Sequence, residues 1–140
     1  IIALQEVENI SILERLRNDY LTGLGYQPAV LLEGKDMRGI DVAFLSKLPI
    51  TEAKLHPITF PKSLKKRAGD TRPILEANFE LPNGETLTGF SVHFPAPYHP
   101  TEMREVAYTK LNKIVAALPE SQAVFAAGDF NTTLLILLLK

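Results

Sequence analysis

Apolar residues in this chain come in two rhythms, and the switches between them lay out its elements. Ile1-Ile2-Ala3-Leu4 is a continuous apolar run, too short for a helix and of the kind expected in a strand covered on both faces. It gives way to Gln5-Glu6-Val7-Glu8-Asn9, so Glu6 is expected at the carboxyl end of that strand. Ser11-x-x-Glu14 then has the form of a capping box, in which two side chains satisfy the free amides of a helix start. Ile12, Leu13, Leu16, Tyr20 and Leu24 follow at helical steps, which predicts an amphipathic helix ended by Gly23 and Gly25.

From there the period falls to that of strands. Pro28 to Leu32 and Ile40 to Leu45 read as strands around a polar turn bearing Lys35, Asp36 and Arg38. Glu52 to Phe60 is expected as a more peripheral strand, broken at Pro57 and Pro61. A basic loop carries Lys62, Lys65, Lys66, Arg67 and Arg72. Ile74 to Leu81 and Glu85 to Phe94 then flank Pro82-Asn83-Gly84, and Asn-Gly between such runs is a strong hairpin signal. Past a proline-pinned loop from Pro95 to Pro100, Thr101 and Glu102 open a helix. Its stripe of Met103, Val106, Ala107, Leu111, Ile114, Val115 and Leu118 ends at Pro119. A buried strand over Ala123 to Ala127 leads into Gly128-Asp129-Phe130-Asn131. Mixed strands with two helices predict a layered α+β sandwich, not a doubly wound nucleotide fold, and no glycine-rich phosphate loop opens a helix.

Composition narrows the function classes. With 46% apolar and 22% charged residues the chain is ordinary for a water-soluble domain, and its 140 residues read as a single one. A net charge of −1 argues against a cationic protein that coats nucleic acid and leaves a local basic patch open. The absence of cysteine excludes a disulfide framework and a thiolate metal site. No charged-then-apolar leader is read at the start, and the aliphatic run Leu134 to Leu139 is far below the roughly 20 residues that cross a bilayer. The chain opens without methionine inside a strand pattern and closes on that aliphatic run, so both ends are expected to be cut from a larger domain. Compartment and oligomeric state are not legible.

The candidate chemistry centres on Asp129 and Asn131, which project to the same side of an extended chain. An acid beside an amide suits a metal-bound or phosphate-bound oxygen. Singly, Asp-x-Asn is also a common turn pair, Glu6 a solvated turn residue and His93 a hydrogen-bonded histidine at a sheet edge. Together they suit a hard cation such as Mg²⁺ with an imidazole nearby for phosphate chemistry. Arg72 reads equally as a planar contact to phosphate or as a solvated loop residue. Asp41 reads as a structural acid hydrogen-bonded near Arg38 before a site residue, and Tyr98 and His99 as surface packing beside His93 before a lining of the substrate mouth. The segment from Lys62 to Arg67 reads as a solvated loop, since it lacks the interleaved aromatics of a single-strand platform.

Gln5-Glu6-Val7, Ser91-Val92-His93 and Gly128-Asp129-Phe130-Asn131, in that order, resemble the signatures of the endonuclease/exonuclease/phosphatase superfamily, the DNase I-like phosphodiesterases. Arg38-Gly39-Ile40-Asp41-Val42-Ala43 and Thr71-Arg72-Pro73 fall between them in the expected order. The resemblance covers essentially the whole chain. It implies a four-layer α/β/β/α sandwich with the active site at one edge of two packed sheets. It also implies a metal-dependent phosphoesterase that hydrolyses phosphodiester or phosphomonoester bonds, a nuclease before anything else. By the same resemblance Glu6 holds Mg²⁺, or in some members Mn²⁺ or Ca²⁺. His93 would contact the scissile phosphate as an acid or electrostatic stabiliser, Asp129 would orient or deprotonate the attacking water, and Asn131 would steady a phosphate oxygen.

Superfamily members also carry an earlier strand ending in asparagine and a later Ser-Asp-His segment with a further acid. Neither is read here, and His56 and His99 stand in the wrong places, so the chain is expected to be an incomplete domain, inactive by itself. Ser91-x-His93 departs from the abasic-site nucleases, which place a tyrosine there. It is nearer to the DNase I, sphingomyelinase and phosphoinositide-phosphatase branches. A sphingomyelinase- or phosphoinositide-phosphatase-like enzyme, or a non-catalytic binding module on the same fold, are the alternative expectations. The expected partner is nucleic acid first and an anionic lipid headgroup second.

Overall fold

A computed structural model of the chain describes residues 1–132, and the Leu134 to Leu139 run lies outside the described residues. In chain order the elements are β1 (Ile2–Val7), α1 (Ile10–Tyr20), β2 (Val30–Leu31), β3 (Asp41–Leu45), β4 (Ile50–His56), a short 3₁₀ turn (Lys65–Arg67), β5 (Ile74–Glu80), β6 (Thr86–His93), α2 (Thr101–Ala116) and β7 (Ala123–Asp129). They build two sheets. In the first, β1 and β2 each pair antiparallel with β3. In the second, β4, β5 and β6 form an antiparallel ladder, to which β7 adds in parallel with β6.

The sheets face each other across a phenylalanine core. Phe44 of β3 meets Phe79 of β5 edge-on with centroids 5.3 Å apart, and Phe125 of β7 lies 6.2 Å and 6.0 Å from the two. Every residue of β3 is buried. It is the middle strand of its sheet, with Val42 and Phe44 turned to the second sheet and Ala43 turned to Leu13 of α1. Burial of each such large apolar side chain contributes about 1.5–3 kcal/mol. On the far side, α2 lays Ala107 and Leu111 over Ile74, Phe90, Val92 and Phe94. The order is therefore helix, sheet, sheet, helix, the expected α/β/β/α sandwich.

Local expectations shift where a neighbouring group competes. Asn9 caps α1, its Oδ1 accepting from Ile12 N at 3.0 Å, so the Ser11–Glu14 box does not form. Glu14 is drawn off instead, to the Arg17 guanidinium and to Ala29 N, each at 2.6 Å. The helix stops at Tyr20, and Leu13 alone of its apolar face is buried. β1 runs on to Val7 as an edge strand, which is why Ile2 is exposed rather than covered on both faces. β7 is likewise an edge, with Ala123 and Val124 exposed where a buried strand was expected. β4 is the peripheral strand foreseen and ends at His56, before Pro57. The Asn-Gly hairpin closes as predicted, with Gly84 at φ 83° and Asn83 Oδ1 accepting from Glu85 N. Among the described residues no helix is long and apolar enough to cross a membrane.

Candidate active site

The parallel register of β6 and β7 sets His93 directly beside Asp129, the last residues of their strands. His93 Nε2 lies 3.8 Å from Asp129 Oδ2, within reach of charge attraction and too far for a hydrogen bond. Gly128 is what lets the strands end this way. It sits at φ 136°, and a Cβ there would fall onto the carbonyl oxygen of Val92. The chain then folds back on itself in an Asx-type turn. Asn131, at φ 50°, donates its backbone N–H to Asp129 Oδ1 at 2.8 Å and its side-chain amide to Phe94 O at 2.9 Å. Phe94 N in turn donates to Asp129 O at 2.8 Å. Phe130, between the two polar residues, packs 5.3 Å from Phe94 and stacks on Tyr108 at 5.9 Å. The inward ring anchors the turn, and Asp129 is left exposed.

β1 reaches the same edge from the other sheet. Gln5 Nε2 donates to Ser91 Oγ, and Ser91 Oγ to Leu4 O, each at 3.3 Å. The β1–β3 register slips between Leu4 and Val7, which leaves Gln5 and Glu6 in a bulge with Glu6 at φ 58°. A left-handed backbone at a non-glycine residue costs about 1–3 kcal/mol, and such strain collects where a side chain must be aimed. Glu6 is exposed, and its carboxylate makes no hydrogen bond or ion pair among the described residues. His93 is the opposite case: it is 8% exposed, and its Nδ1 has no hydrogen-bond partner among the described residues.

Glu6 fits a hard cation. Mg²⁺ binds through one or two carboxylates, keeps several waters and draws further oxygens from substrate phosphate, and Glu6 offers an exposed carboxylate of that kind. Among the described residues no three His, Cys, Asp or Glu gather into a group that could hold a metal ion.

The loops before β3 and after β6 carry a rim of paired charges. Arg72, expected as a phosphate contact or a solvated loop residue, is not solvated: it is buried in an ion pair, and its Nη2 has no hydrogen-bond partner among the described residues. Its side chain is 3% exposed and its Nε lies 3.2 Å from Oδ2 of Asp36, itself 1% exposed. Arg38 approaches the other oxygen of Asp36 at 3.8 Å. Asp41 is structural as expected but has a different partner, accepting from Gly34 N at 2.7 Å. Burial raises the Asp41 pKa; the Gly34 hydrogen bond opposes this, while the nearby charges of Glu33 and Asp36 add to it. Asp70 accepts from the Tyr98 hydroxyl, and its Oδ1 lies 3.1 Å from His99 Nε2. Burial pushes the Asp70 carboxyl up, but the Tyr98 hydrogen bond and the His99 contact outweigh it and hold its pKa below the usual range. His99 is thus a buried partner of Asp70, not a surface-packing residue.

The structure therefore gathers His93, Asp129 and Asn131 and brings the β1 bulge with Glu6 to the same strand ends, while Arg72 stands in the rim. Gln5 and Ser91 stand in the sequence motifs, but their role as a hook between the sheets is not read there. A serine and a glutamine interrupting apolar strands were the signal available.

Two packed sheets with a helix on each outer face, and an acid, an imidazole and an amide at one edge, define a DNase I-like sandwich. The sequence matches the Endonuclease/Exonuclease/phosphatase family over residues 1–135, and the chain belongs to that family. No curated protein matches the sequence. Among solved structures, a humanized D. rerio TDP2 carrying 14 mutations is similar with a TM-score of 0.70 at 16% identity, over 94% of this chain and 48% of that one. D. rerio TDP2 complexed with single-strand DNA product gives 0.66 at 15% identity, over 94% and 47%. ANGEL2, a 2',3'-cyclic phosphatase, gives 0.67 at 15% identity, over 94% and 39%. At these identities the likeness is one of fold. The chain spans about half the length of these proteins or less.

Proposed function

We propose that the edge carrying Glu6, His93, Asp129 and Asn131 hydrolyses phosphate esters, with nucleic acid as the substrate class, in the protein to which this stretch belongs. The observation that carries this is the aim of the polar groups: backbone strain and backbone hydrogen bonds fix Glu6, Asp129 and Asn131. Both carboxylates are exposed, and among the described residues neither is paired with an arginine or lysine. Membership of the family supports the same reading, as does the single-strand DNA product held by the D. rerio TDP2 of similar fold.

In the proposed reaction a water attacks phosphorus in line with the leaving oxygen. Asp129 takes the proton of that water, which needs a carboxylate that is exposed and held in one orientation. His93 and Asn131 stand beside Asp129 to donate to the phosphoryl or leaving oxygens as negative charge grows there. Asn131 spends one of its two amide hydrogens on Phe94 O and keeps the other for substrate. The P–O bond to the leaving group breaks as the new one forms, and the departing alkoxide is protonated from His93 or solvent. Glu6 would hold Mg²⁺, or Mn²⁺ or Ca²⁺ in its place, and such an ion would add positive charge against the phosphoryl oxygens.

The test is a pair of isosteric substitutions, Asp129→Asn and Glu6→Gln, in the intact protein. Each lowers kcat/KM on a phosphodiester by about 10²–10³-fold or more and leaves the urea midpoint unchanged, since both side chains are exposed. Wild-type turnover in either variant sinks the proposal.

A further inference from the structure

The basic segment Lys62 to Arg67 contains no aromatic residue of its own, but the fold supplies one from elsewhere. The loop leaving β6 past His93 carries Tyr98 to it, and the β2–β3 loop carries Met37, fastened by Met37 N donating to Gly69 O at 2.8 Å. Between them lies an open cleft of about 400 Å³ that includes Lys66, Arg67, Asp70 and His99. Tyr98 is 66% exposed and Met37 79% exposed, so both apolar side chains face solvent at this cleft.

Neither the ring nor the charge there is accidental in geometry. Tyr98 lies against the His99 ring with centroids 4.3 Å apart and planes at 38°, and its hydroxyl is fixed on Asp70. That hydrogen bond raises the Tyr98 pKa, so the hydroxyl stays a donor. An aromatic held this way can offer its free surface to a ligand with little loss of side-chain entropy. Asp70, the one acid among the described residues lining the cleft, already has Tyr98 and His99 as partners, and nearby Asp36 is paired with Arg72 and Arg38, so neither does much to cancel Lys66 and Arg67.

We infer that this cleft binds an unpaired stretch of nucleic acid, with a base stacked on Tyr98 beside Met37 and the flanking phosphates on Lys66 and Arg67. A flat apolar face next to exposed cations matches the two chemistries of a single strand, a base and a phosphate. Bases in a duplex are already stacked on one another, so the platform selects single strands. It presupposes the phosphoesterase function proposed above and narrows its substrate, because the Tyr98 loop starts where β6 delivers His93 to the site.

The experiment measures equilibrium binding of a fluorescent single-stranded oligonucleotide to the intact protein in EDTA, so that no turnover enters. Tyr98→Ala weakens binding about 5- to 100-fold, Tyr98→Trp restores it, and an abasic oligonucleotide of the same length binds the wild type and Tyr98→Ala alike. Lys66→Glu with Arg67→Glu weakens both oligonucleotides and flattens the salt dependence. Tyr98→Leu keeps bulk without the ring and replaces alanine in the comparison if circular dichroism shows the alanine variant loosened. Unchanged oligonucleotide affinity in Tyr98→Ala and Tyr98→Leu overturns the platform. So does a loss confined to binding of phosphatidylserine vesicles, which would assign the cleft to a lipid surface. Hydrolysis of a small phosphodiester without a base, by the unmutated protein with Mg²⁺, reports on the phosphoesterase function separately.

Discussion

Two groups of charged side chains share one edge of the sandwich, and they are held in opposite ways. In the rim each carboxylate has a short-range partner: Asp36 has Arg72 and Arg38, and Asp70 has His99 and Tyr98. At the strand ends the backbone does the holding, through Gly128, the positive φ of Glu6 and Asn131, and the Asx-type turn. A charge matched at close range leaves little field for an incoming group. A carboxylate oriented by main chain keeps its lone pairs for water, cation or phosphate. The difference separates scaffold from chemistry more sharply than charge content does, since both groups are rich in acids.

The largest effect falls on the backbone lock. Gly128→Ala adds a Cβ against the Val92 carbonyl at a φ that favours glycine, combining backbone strain with overpacking. A destabilisation of about 4 kcal/mol or more is expected in urea titration, with hydrolysis lost alongside. An alanine variant of normal stability and turnover would mean that the main chain is not what orients Asp129. Next comes the charge lock. Arg72→Met strands Asp36 without its buried partner and lowers stability by about 3 kcal/mol. Adding Asp36→Asn returns much of that loss, the signature of a removed pair rather than a lost packing contact. The Arg72 variant should retain far more turnover than Asp129→Asn. Equal loss in the two, measured on folded protein, would move Arg72 from the rim into the chemistry.

The candidate site residues were legible earlier than the geometry that holds them. Glu6, His93, Asp129 and Asn131 stand in short ordered motifs, and strand periodicity alone placed each near a strand end. The hairpin and α2 followed from Asn-Gly and a long apolar stripe. What stayed hidden depends on contacts distant in sequence. Arg72 could not be seen as buried, because its partner Asp36 comes from the loop before β3. The Lys62–Arg67 segment was judged to lack aromatics because Tyr98 arrives from across the fold. Edge exposure of β1 and β7 was misread for a related reason: a run of apolar residues signals burial, but strand order decides how much of it is achieved.

The smallest effects concern pH, where the rim acid Asp70 and the buried β3 acid Asp41 should slope in opposite directions. The Asp70 pKa is held down in the folded state, so its pairing adds stability above the ordinary carboxylate pKa of about 4 and loses it as pH falls through the lowered value. Asp70→Asn is expected to cost about 1 kcal/mol at pH 7, a cost that shrinks toward nothing in acid. The Asp41 pKa is raised, so its contribution is present below the ordinary carboxylate pKa and lost as pH rises through the raised value. Asp41→Asn keeps an oxygen to accept from Gly34 N and removes a charge that burial disfavours. Its stability relative to wild type should therefore climb with pH, by less than about 1 kcal/mol. Urea midpoints of the two variants between pH 3 and pH 7 test both signs at once. Parallel slopes would mean that Asp41, although buried on β3, is served by a compensating charge that the Asp36–Arg72 pair does not fully consume.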